Sequence, residues 1–296
     1  TFNKFMVKVI IIGANGNLGS ELVKAFSGEY EVIGWGRSEI DITDKDLIEK
    51  KIKEIKPAFI LNAAAYNAVD KCEQDEKEFE AAKKLNGAAV GYLSRAALSS
   101  GSVLVHFSTD YVFSGSNRRG YRESDTPNPI NNYGKSKLAG EQEILKLSGK
   151  GLKWYIVRTS KLFGPKGSSG DSKPSFFEVI YKKAREKGFI DVVDKEEISC
   201  FTYTKDLARA VRILIESEKG YGIYHIVNSS PCSWYKASKF FFKLINMKGV
   251  KVNAVDSEYF KRPAKRPAYS ALLNTKLEPQ RDWKEALEEY LKKPIV

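Results

Sequence analysis

The chain is poor in the residues that most often carry covalent or metal chemistry. Only two histidines and three cysteines occur in 296 residues. Cys72, Cys200 and Cys232 are far apart and form no C-x-x-C pair. This argues against a disulfide framework and a zinc site. It points to a reducing compartment, read here as the cytoplasm. His106 and His225 each sit inside an apolar, strand-like run. Both are expected to be packing residues rather than catalytic or metal-binding groups. No apolar run reaches the roughly 18 residues of a membrane helix, so no membrane partner is expected. The opening run MVKVIIIGANG ends in glycines. It reads as a buried first strand rather than a secretory leader, with Met6 as a natural start. Internal repeats and low-complexity tracts are also absent.

Acidic residues are fewer than basic ones, 37 against 49, for a formal net charge of +12. The lysines are interleaved with glutamates in helical stretches such as KDLIEKKIKEIK, which describes a solvated surface. No aromatic-and-basic RNA-binding signature accompanies them, so no nucleic-acid partner is expected. A basic rim can instead steer an anionic small molecule. The length allows one large α/β domain, or a larger and a smaller lobe.

What is present is a rhythm. MVKVIIIG, YEVIGW, AFILNAAA, SVLVHFS and LKWYIVRTS read as strands. NLGSELVKAF, DKDLIEKKIKEIK, EKEFEAAKKLNGAAVGYLSRAALSSG and NNYGKSKLAGEQEILKLS read as helices between and after them. Alternation of this kind gives a parallel sheet covered on both faces. After Ser160 the rhythm loosens. GPKGSSGDSKP reads as a flexible loop, PSFFEVIYKKAREKG as a helix, FIDVVD as a strand, TKDLARAVRILIES as a helix and GIYHIVNS as a strand. A further helix is expected near Tyr235–Ile245, and a last one from Asp282 with Glu285 in a capping-box position. The expected fold is α/β: a Rossmann-like doubly wound parallel sheet with a smaller C-terminal substrate lobe. The expected division is 1–160, joined by 203–228, against 161–202 with 229–296.

The first strand runs into Gly13-Ala14-Asn15-Gly16-Asn17-Leu18-Gly19. Gly13 permits a tight turn, Gly16 leaves room for a pyrophosphate, and Gly19 lets helix and strand approach. The helix N-terminus offers free N–H groups to phosphate. This is a dinucleotide cradle. About twenty residues on, where an acid would hold a ribose 2′-hydroxyl, stand Arg37 and Ser38. A guanidinium and a hydroxyl suit a 2′-phosphate, so NADPH is expected, with NADH as the alternative.

Tyr133 and Lys137 are four residues apart, about one helical turn, and share a face. An ammonium beside a phenol lowers its pKa, and a tyrosine so tuned can exchange a proton with a carbonyl oxygen. Thr109, at the end of a strand, is the better candidate to hydrogen-bond that oxygen, and Ser108 the second. Asn86 is a candidate anchor for water or backbone near the lysine.

These segments together resemble the dTDP-4-dehydrorhamnose reductase family, within the extended short-chain dehydrogenase/reductase superfamily. The resemblance rests on Asn62-Ala63-Ala64-Ala65-Tyr66 followed by Val69-Asp70-Lys71-Cys72-Glu73, and on Ser108-Thr109-Asp110-Tyr111-Val112-Phe113. It continues through Tyr121-Arg122-Glu123, Pro127, Pro129, Tyr133 and Lys137 to Arg158-Thr159-Ser160, Tyr203-Thr204-Lys205-Asp206-Leu207-Ala208 and Arg266-Pro267. It covers nearly the whole chain from Val7. It implies reduction of the 4-keto group of a dTDP-linked 6-deoxy sugar. Tyr133 would be the acid/base, Lys137 would tune it and hold the nicotinamide ribose, and Thr109 would polarise the ketone. Gly13, Gly16, Asn17 and Leu18 would line the pyrophosphate. Asp41 and Ile42 would flank the adenine, and Ala63, Ala64 and Ala65 would pass under the cofactor.

Two departures border the implied substrate pocket. Lys161 stands where the family usually carries an aromatic, and Glu196-Glu197-Ile198-Ser199-Cys200-Phe201-Thr202 where it often shows a DQxGxPT run. Some relatives pair through a magnesium ion held by acidic residues. Glu21 matches one such residue and the others are not evident, so no metal is expected, while a homodimer stays open. So do two other functions: nucleotide-sugar epimerisation or dehydration, with Asp110 as the acid, and a non-catalytic NADP-binding regulatory subunit like the methionine adenosyltransferase β subunit.

Overall fold

The computed structural model describes residues 7–170, 172–217 and 219–292. Met6 lies outside them. In chain order the strands are β1 (Lys8–Ile12), β2 (Glu31–Trp35), β3 (Phe59–Asn62), β4 (Val103–Thr109), β5 (Lys153–Thr159), β6 (Leu162–Phe163), β7 (Phe189–Val193), β8 (Thr202–Tyr203), β9 (Gly222–His225) and β10 (Lys251–Val255). The helices are α1 (Asn17–Phe26), α2 (Lys45–Ile55), α3 (Val69–Gln74), α4 (Glu76–Lys83), α5 (Ala89–Ser100), α6 (Asn132–Ser148), α7 (Phe176–Lys187), α8 (Thr204–Glu216), α9 (Trp234–Leu244) and α10 (Trp283–Leu291). None of the described helices is long and apolar enough to cross a membrane.

Six strands form one parallel sheet in the order β2-β1-β3-β4-β5-β9. The central strands are buried on both faces, which explains their unbroken apolar runs. On one face α1 and α8 pack Leu18, Leu22, Phe26, Leu207, Val211 and Leu214 against Val9 and Ile11. On the other, α2, α5 and α6 pack Ile48, Ile52, Val90, Leu93 and Ile144 against Ile10, Ile12 and Ile60. The chain winds outward from β1 in both directions, so the order reverses between β1 and β3. Ligands of open α/β sheets bind outside the carboxyl ends of the strands at such a point. Ile12 pairs with Asn62, and Asn62 with His106. Gly13 and Ala63 therefore leave the sheet at one level, while β4 runs on beside β5 to Thr109.

A second core gathers Phe163, Phe177, Phe201, Phe241, Trp283 and Tyr290, built by α7, α9 and α10 with the two-stranded pairs β7–β10 and β6–β8. A smaller cluster of Val112, Phe113, Tyr121, Cys200, Val227 and Leu272 joins residues from both halves of the chain.

Several elements differ from the sequence expectation. The long helix before β4 is interrupted by a π-helical turn at Lys84–Ala88. The strand expected through Ala63–Ala65 stops at Asn62. Strand β10 was not expected at all. Asp282 caps α10 through the Lys284 N–H, whereas the reciprocal capping box lies at α7, between Ser175 and Glu178. All three cysteines are free and buried.

Candidate active site

The glycine-rich turn is shaped by contacts that no side chain could share. Gly13 has φ +77°, and a Cβ on it would lie 2.9 Å from the backbone nitrogen of Ala64. A Cβ on Gly19 would lie 1.9 Å from the Gly13 carbonyl oxygen. The Gly13 N–H donates to the Trp35 carbonyl (2.7 Å), which ties the turn to β2. Gly16 is the N-cap of α1 and makes no side-chain cap bond. The helix therefore begins with N–H groups turned to the switch point, as a pyrophosphate requires. Leu18 is buried in the first core, so only its backbone belongs to the cradle. The side chain of Asn17 is engaged elsewhere. It accepts from the Gly167 N–H (3.0 Å) and donates to the Lys173 carbonyl (2.9 Å). With the Ser169 N–H on the Asn15 carbonyl (2.9 Å), these bonds lay Gly167, Ser169 and Lys173 against the glycine turn. Small backbone-lined contacts between Gly13 and Ala63–Ala64 fit a flat cofactor passing close by.

Arg37 and Ser38 stand beyond β2, and the structure adds a neighbour that the sequence reading passed over. Glu39 accepts from the Gly36 N–H (2.6 Å) and the Ser38 hydroxyl (2.5 Å). The Ser38 hydroxyl holds that carboxyl below its ordinary value, with the Gly36 N–H. Asp41 is held by Thr43, whose N–H and hydroxyl both donate to it at 2.8 Å, and Ile42 is buried beside Trp35 and Ile40.

At the end of β4, Thr109 caps a short 3-10 turn, its hydroxyl accepting from the Tyr111 N–H. Helix α6 is pressed against that turn. A Cβ on Gly134 would lie 2.3 Å from the Tyr111 carbonyl oxygen, so glycine is required there. Asn131 caps the helix through the Gly134 N–H (2.8 Å), and the Glu73 carboxylate accepts from the Asn132 N–H (2.9 Å). These contacts place Tyr133 beside Thr109. The Tyr111 and Tyr133 rings meet edge to face at 5.8 Å. Thr109, Tyr133 and Lys137 thus meet at the carboxyl edge of the sheet. The Ser108 hydroxyl is buried and finds no partner among the described residues. Asn86, in the π-helical turn, bonds both backbone groups of Tyr66 and the Ser136 hydroxyl. It anchors backbone, as one of its expected roles required.

The electrostatics differ from expectation. Burial raises the Tyr133 phenol well above its ordinary value, and the bond with Thr109 opposes this only in part. The expected lowering by Lys137 is not seen. That ammonium is aimed at β4, donating to the Phe107 carbonyl (2.7 Å) and lying 3.4 Å from His106 Nε2. Burial lowers the Lys137 amine to about 8. A phenol that keeps its proton near neutral pH is the form a reduction consumes. His106 is buried as expected, but it is also a polar partner of the lysine. His225 donates through Nδ1 to the Leu273 carbonyl (3.1 Å) and packs edge-on against Phe113.

The second lobe closes the other side. Lys161 (φ +37°) donates to the Glu197 carbonyl at 2.7 Å and lies 3.8 Å over the Trp234 ring. Burial lowers its amine to about 8. Glu197 pairs with Arg262 and accepts from Trp234 Nε1 (3.0 Å) and Ser257 (2.6 Å). Burial favours its neutral form, but Arg262 and Ser257 outweigh it and hold the carboxyl below its ordinary value. Asp110, beside Thr109, is pushed up by burial against its bond from Ser270. Arg266 pairs with Asp70 at 2.7 Å. The two departures noted in the sequence, Lys161 and the 196–202 run, therefore meet in one charged wall next to Thr109. Glu21 pairs with Lys24 at 2.6 Å.

Residues 7–295 match the RmlD substrate-binding domain family. The chain belongs to that family, which includes the dTDP-4-dehydrorhamnose reductases. It is 37% identical to the dTDP-4-dehydrorhamnose reductase of Aggregatibacter actinomycetemcomitans, over 96% of this chain and 98% of the other. It is also 37% identical to the spore coat polysaccharide biosynthesis protein SpsK of Bacillus subtilis, over 97% of each chain. The crystal structure of dTDP-4-dehydrorhamnose reductase from Bacillus anthracis, in complex with NADP, superposes with a TM-score of 0.89 at 36% identity, covering 97% of this chain and 99% of the other.

Sequence reasoning overlooked Glu39, Asn62 and His106 as site residues. Glu39 follows the arginine and serine directly, so its place at the end of β2 was readable. For His106, the only signal was its position three residues before Thr109 on a strand next to the helix that carries Tyr133 and Lys137.

Proposed function

We propose that this chain is an NADPH-dependent reductase of the 4-keto group of a dTDP-linked 6-deoxy sugar, converting dTDP-4-dehydrorhamnose to dTDP-L-rhamnose. One observation carries the reading: Thr109, Tyr133 and Lys137 meet at the carboxyl edge of a sheet whose switch point holds a glycine cradle, in a chain that matches the reductase family from end to end.

Bound NADPH would supply the hydride. Gly13, Gly16, Gly19 and the start of α1 cradle its pyrophosphate, and Ala63, Ala64 and Ala65 leave room beneath it. Arg37 and Ser38 serve the 2′-phosphate. Asp41 and Ile42 lie on the adenine side. Thr109 donates a hydrogen bond to the ketone oxygen. Tyr133, held neutral by burial, gives its proton to that oxygen as it becomes an alcohol. Lys137 holds the nicotinamide ribose. The wall of Lys161, Asp110, Glu197 and Arg262 faces the sugar and selects it, and the lobe of 161–202 and 229–296 is the substrate lobe.

The test compares keto sugars on different nucleotides. Purified protein with NADPH should reduce a dTDP-linked 4-keto-6-deoxy sugar faster than its UDP-linked counterpart. Equal rates would remove the nucleotide assignment, and no NADPH consumption with any keto-sugar nucleotide would overturn the reading.

A further inference from the structure

Behind the catalytic lysine runs a short hydrogen-bond chain with a fixed direction. Ala64 N–H donates to Asn62 Oδ1 (3.2 Å). That bond turns the other end of the amide, Nδ2, to His106, and it stands 3.2 Å from Nδ1. An amide NH2 can only donate, so Nδ1 must accept. A neutral imidazole that accepts at Nδ1 carries its proton on Nε2. The ring stays neutral because it is fully buried, and burial with the nearby Lys137 charge holds its pKa well below the ordinary value. The Nε2–H therefore faces Lys137 Nζ, 3.4 Å away.

An N–H turned on an amine is satisfied only by the lone pair of the neutral form. Hydrogen bonding to the neutral form of a base disfavours the charged one. The other groups around this amine compensate only in part. The Phe107 carbonyl takes one of its hydrogens at 2.7 Å. Glu141, one turn along α6, favours the charged amine without outweighing burial, and its carboxylate is already bonded twice by Arg158 of β5, at 3.0 and 2.7 Å. Tyr133, one turn back, is neutral.

We propose that His106 is a positioning residue of the proton relay: Asn62 locks it as the Nε2–H tautomer, and the N–H it presents weakens the grip of Lys137 on its proton. The lysine is thereby left able to pass a proton on when Tyr133 has spent its own, rather than sitting as a permanent cation. The relay role rests on the reductase reading above; the tautomer does not.

The chain has only two histidines, which makes the test direct. His225 donates through Nδ1 to a carbonyl, so the two rings should show opposite tautomers. Nitrogen-15 NMR of histidine-labelled protein, with His225→Phe to assign the signals, should give His106 as Nε2–H and His225 as Nδ1–H. A spectrum with His106 as Nδ1–H would overturn the proposal. The functional readout is the pH dependence of NADPH binding. Affinity should fall as Lys137 loses its charge. In His106→Phe, which lacks the opposing N–H, that fall should move up by about one pH unit. Asn62→Asp can accept from Nδ1–H and turn a bare Nε2 to the amine, and it should move the fall the same way. If His106→Phe does not fold, Asn62→Asp and the wild-type spectrum still decide. An unchanged binding profile in a folded variant would reduce His106 to packing.

Discussion

The carbonyl oxygen of Gly13 lies 1.9 Å from where a Cβ on Gly19 would stand. The first turn of α1 and the end of β1 thus touch backbone to backbone. Gly19→Ala should destabilise the fold by about 1–3 kcal/mol through forced separation, and weaken NADPH binding with it. Thermal melts and fluorescence titration check both effects.

Tyr133→Phe removes the hydroxyl proposed to donate the proton and leaves the ring in place against Tyr111. Turnover should fall by about 10²-fold or more, while NADPH affinity stays near that of the parent. Near-normal turnover would remove Tyr133 from the proton step.

The Lys137 amine binds its proton more weakly folded than unfolded, about 8 against an ordinary 10.5. Between those values the unfolded chain carries more protons, so the stability contribution of this group rises with pH. The burial penalty is full below about 8 and is relieved toward 10.5. The stability difference between the parent and Lys137→Met in urea unfolding should therefore change across that window, the parent gaining on the variant. Parallel curves would mean that the amine is not perturbed.

Arg158 and Glu141 form a buried, two-bonded ion pair, 1% and 0% exposed. Glu141→Ala leaves a guanidinium without its partner and should cost about 3–5 kcal/mol. Replacing both with apolar residues of similar volume should recover much of that loss in denaturant unfolding.

Both Arg37 and Glu39 stand just beyond the end of β2, on the proposed 2′-phosphate side of the cofactor site. Arg37→Asp should shift preference from NADPH toward NADH, and Glu39→Ala the other way. The ratio of kcat/KM for the two cofactors measures this. An unmoved ratio would make the end of β2 a mere surface turn.

Much of this arrangement was legible beforehand because it is written in local patterns. The Gly13-Gly16-Gly19 spacing follows an apolar strand and opens a helix. Tyr133 and Lys137 sit one turn apart, and the apolar runs alternate at two distinct periods. What was hidden depends on partners distant in the chain. The π-helical turn at Lys84–Ala88 exists where Asn86 reaches back to Tyr66, and no local propensity announces it. Strand β10 forms because β7 offers an edge, although KVNAV is short and has no fully buried residue. The tuning of Tyr133 was misjudged because spacing along a helix shows that a lysine is near, not where its ammonium points. His106 looked like core because it is core; its role lies in the ring nitrogens, which hydropathy cannot report.

The most direct measurement is NADPH oxidation with dTDP-4-dehydrorhamnose, comparing the parent protein with Tyr133→Phe. Steady oxidation with formation of dTDP-L-rhamnose, lost in the variant while NADPH still binds, is the predicted result. NADPH bound tightly but never consumed by the parent protein would contradict a reductase built on Thr109, Tyr133 and Lys137.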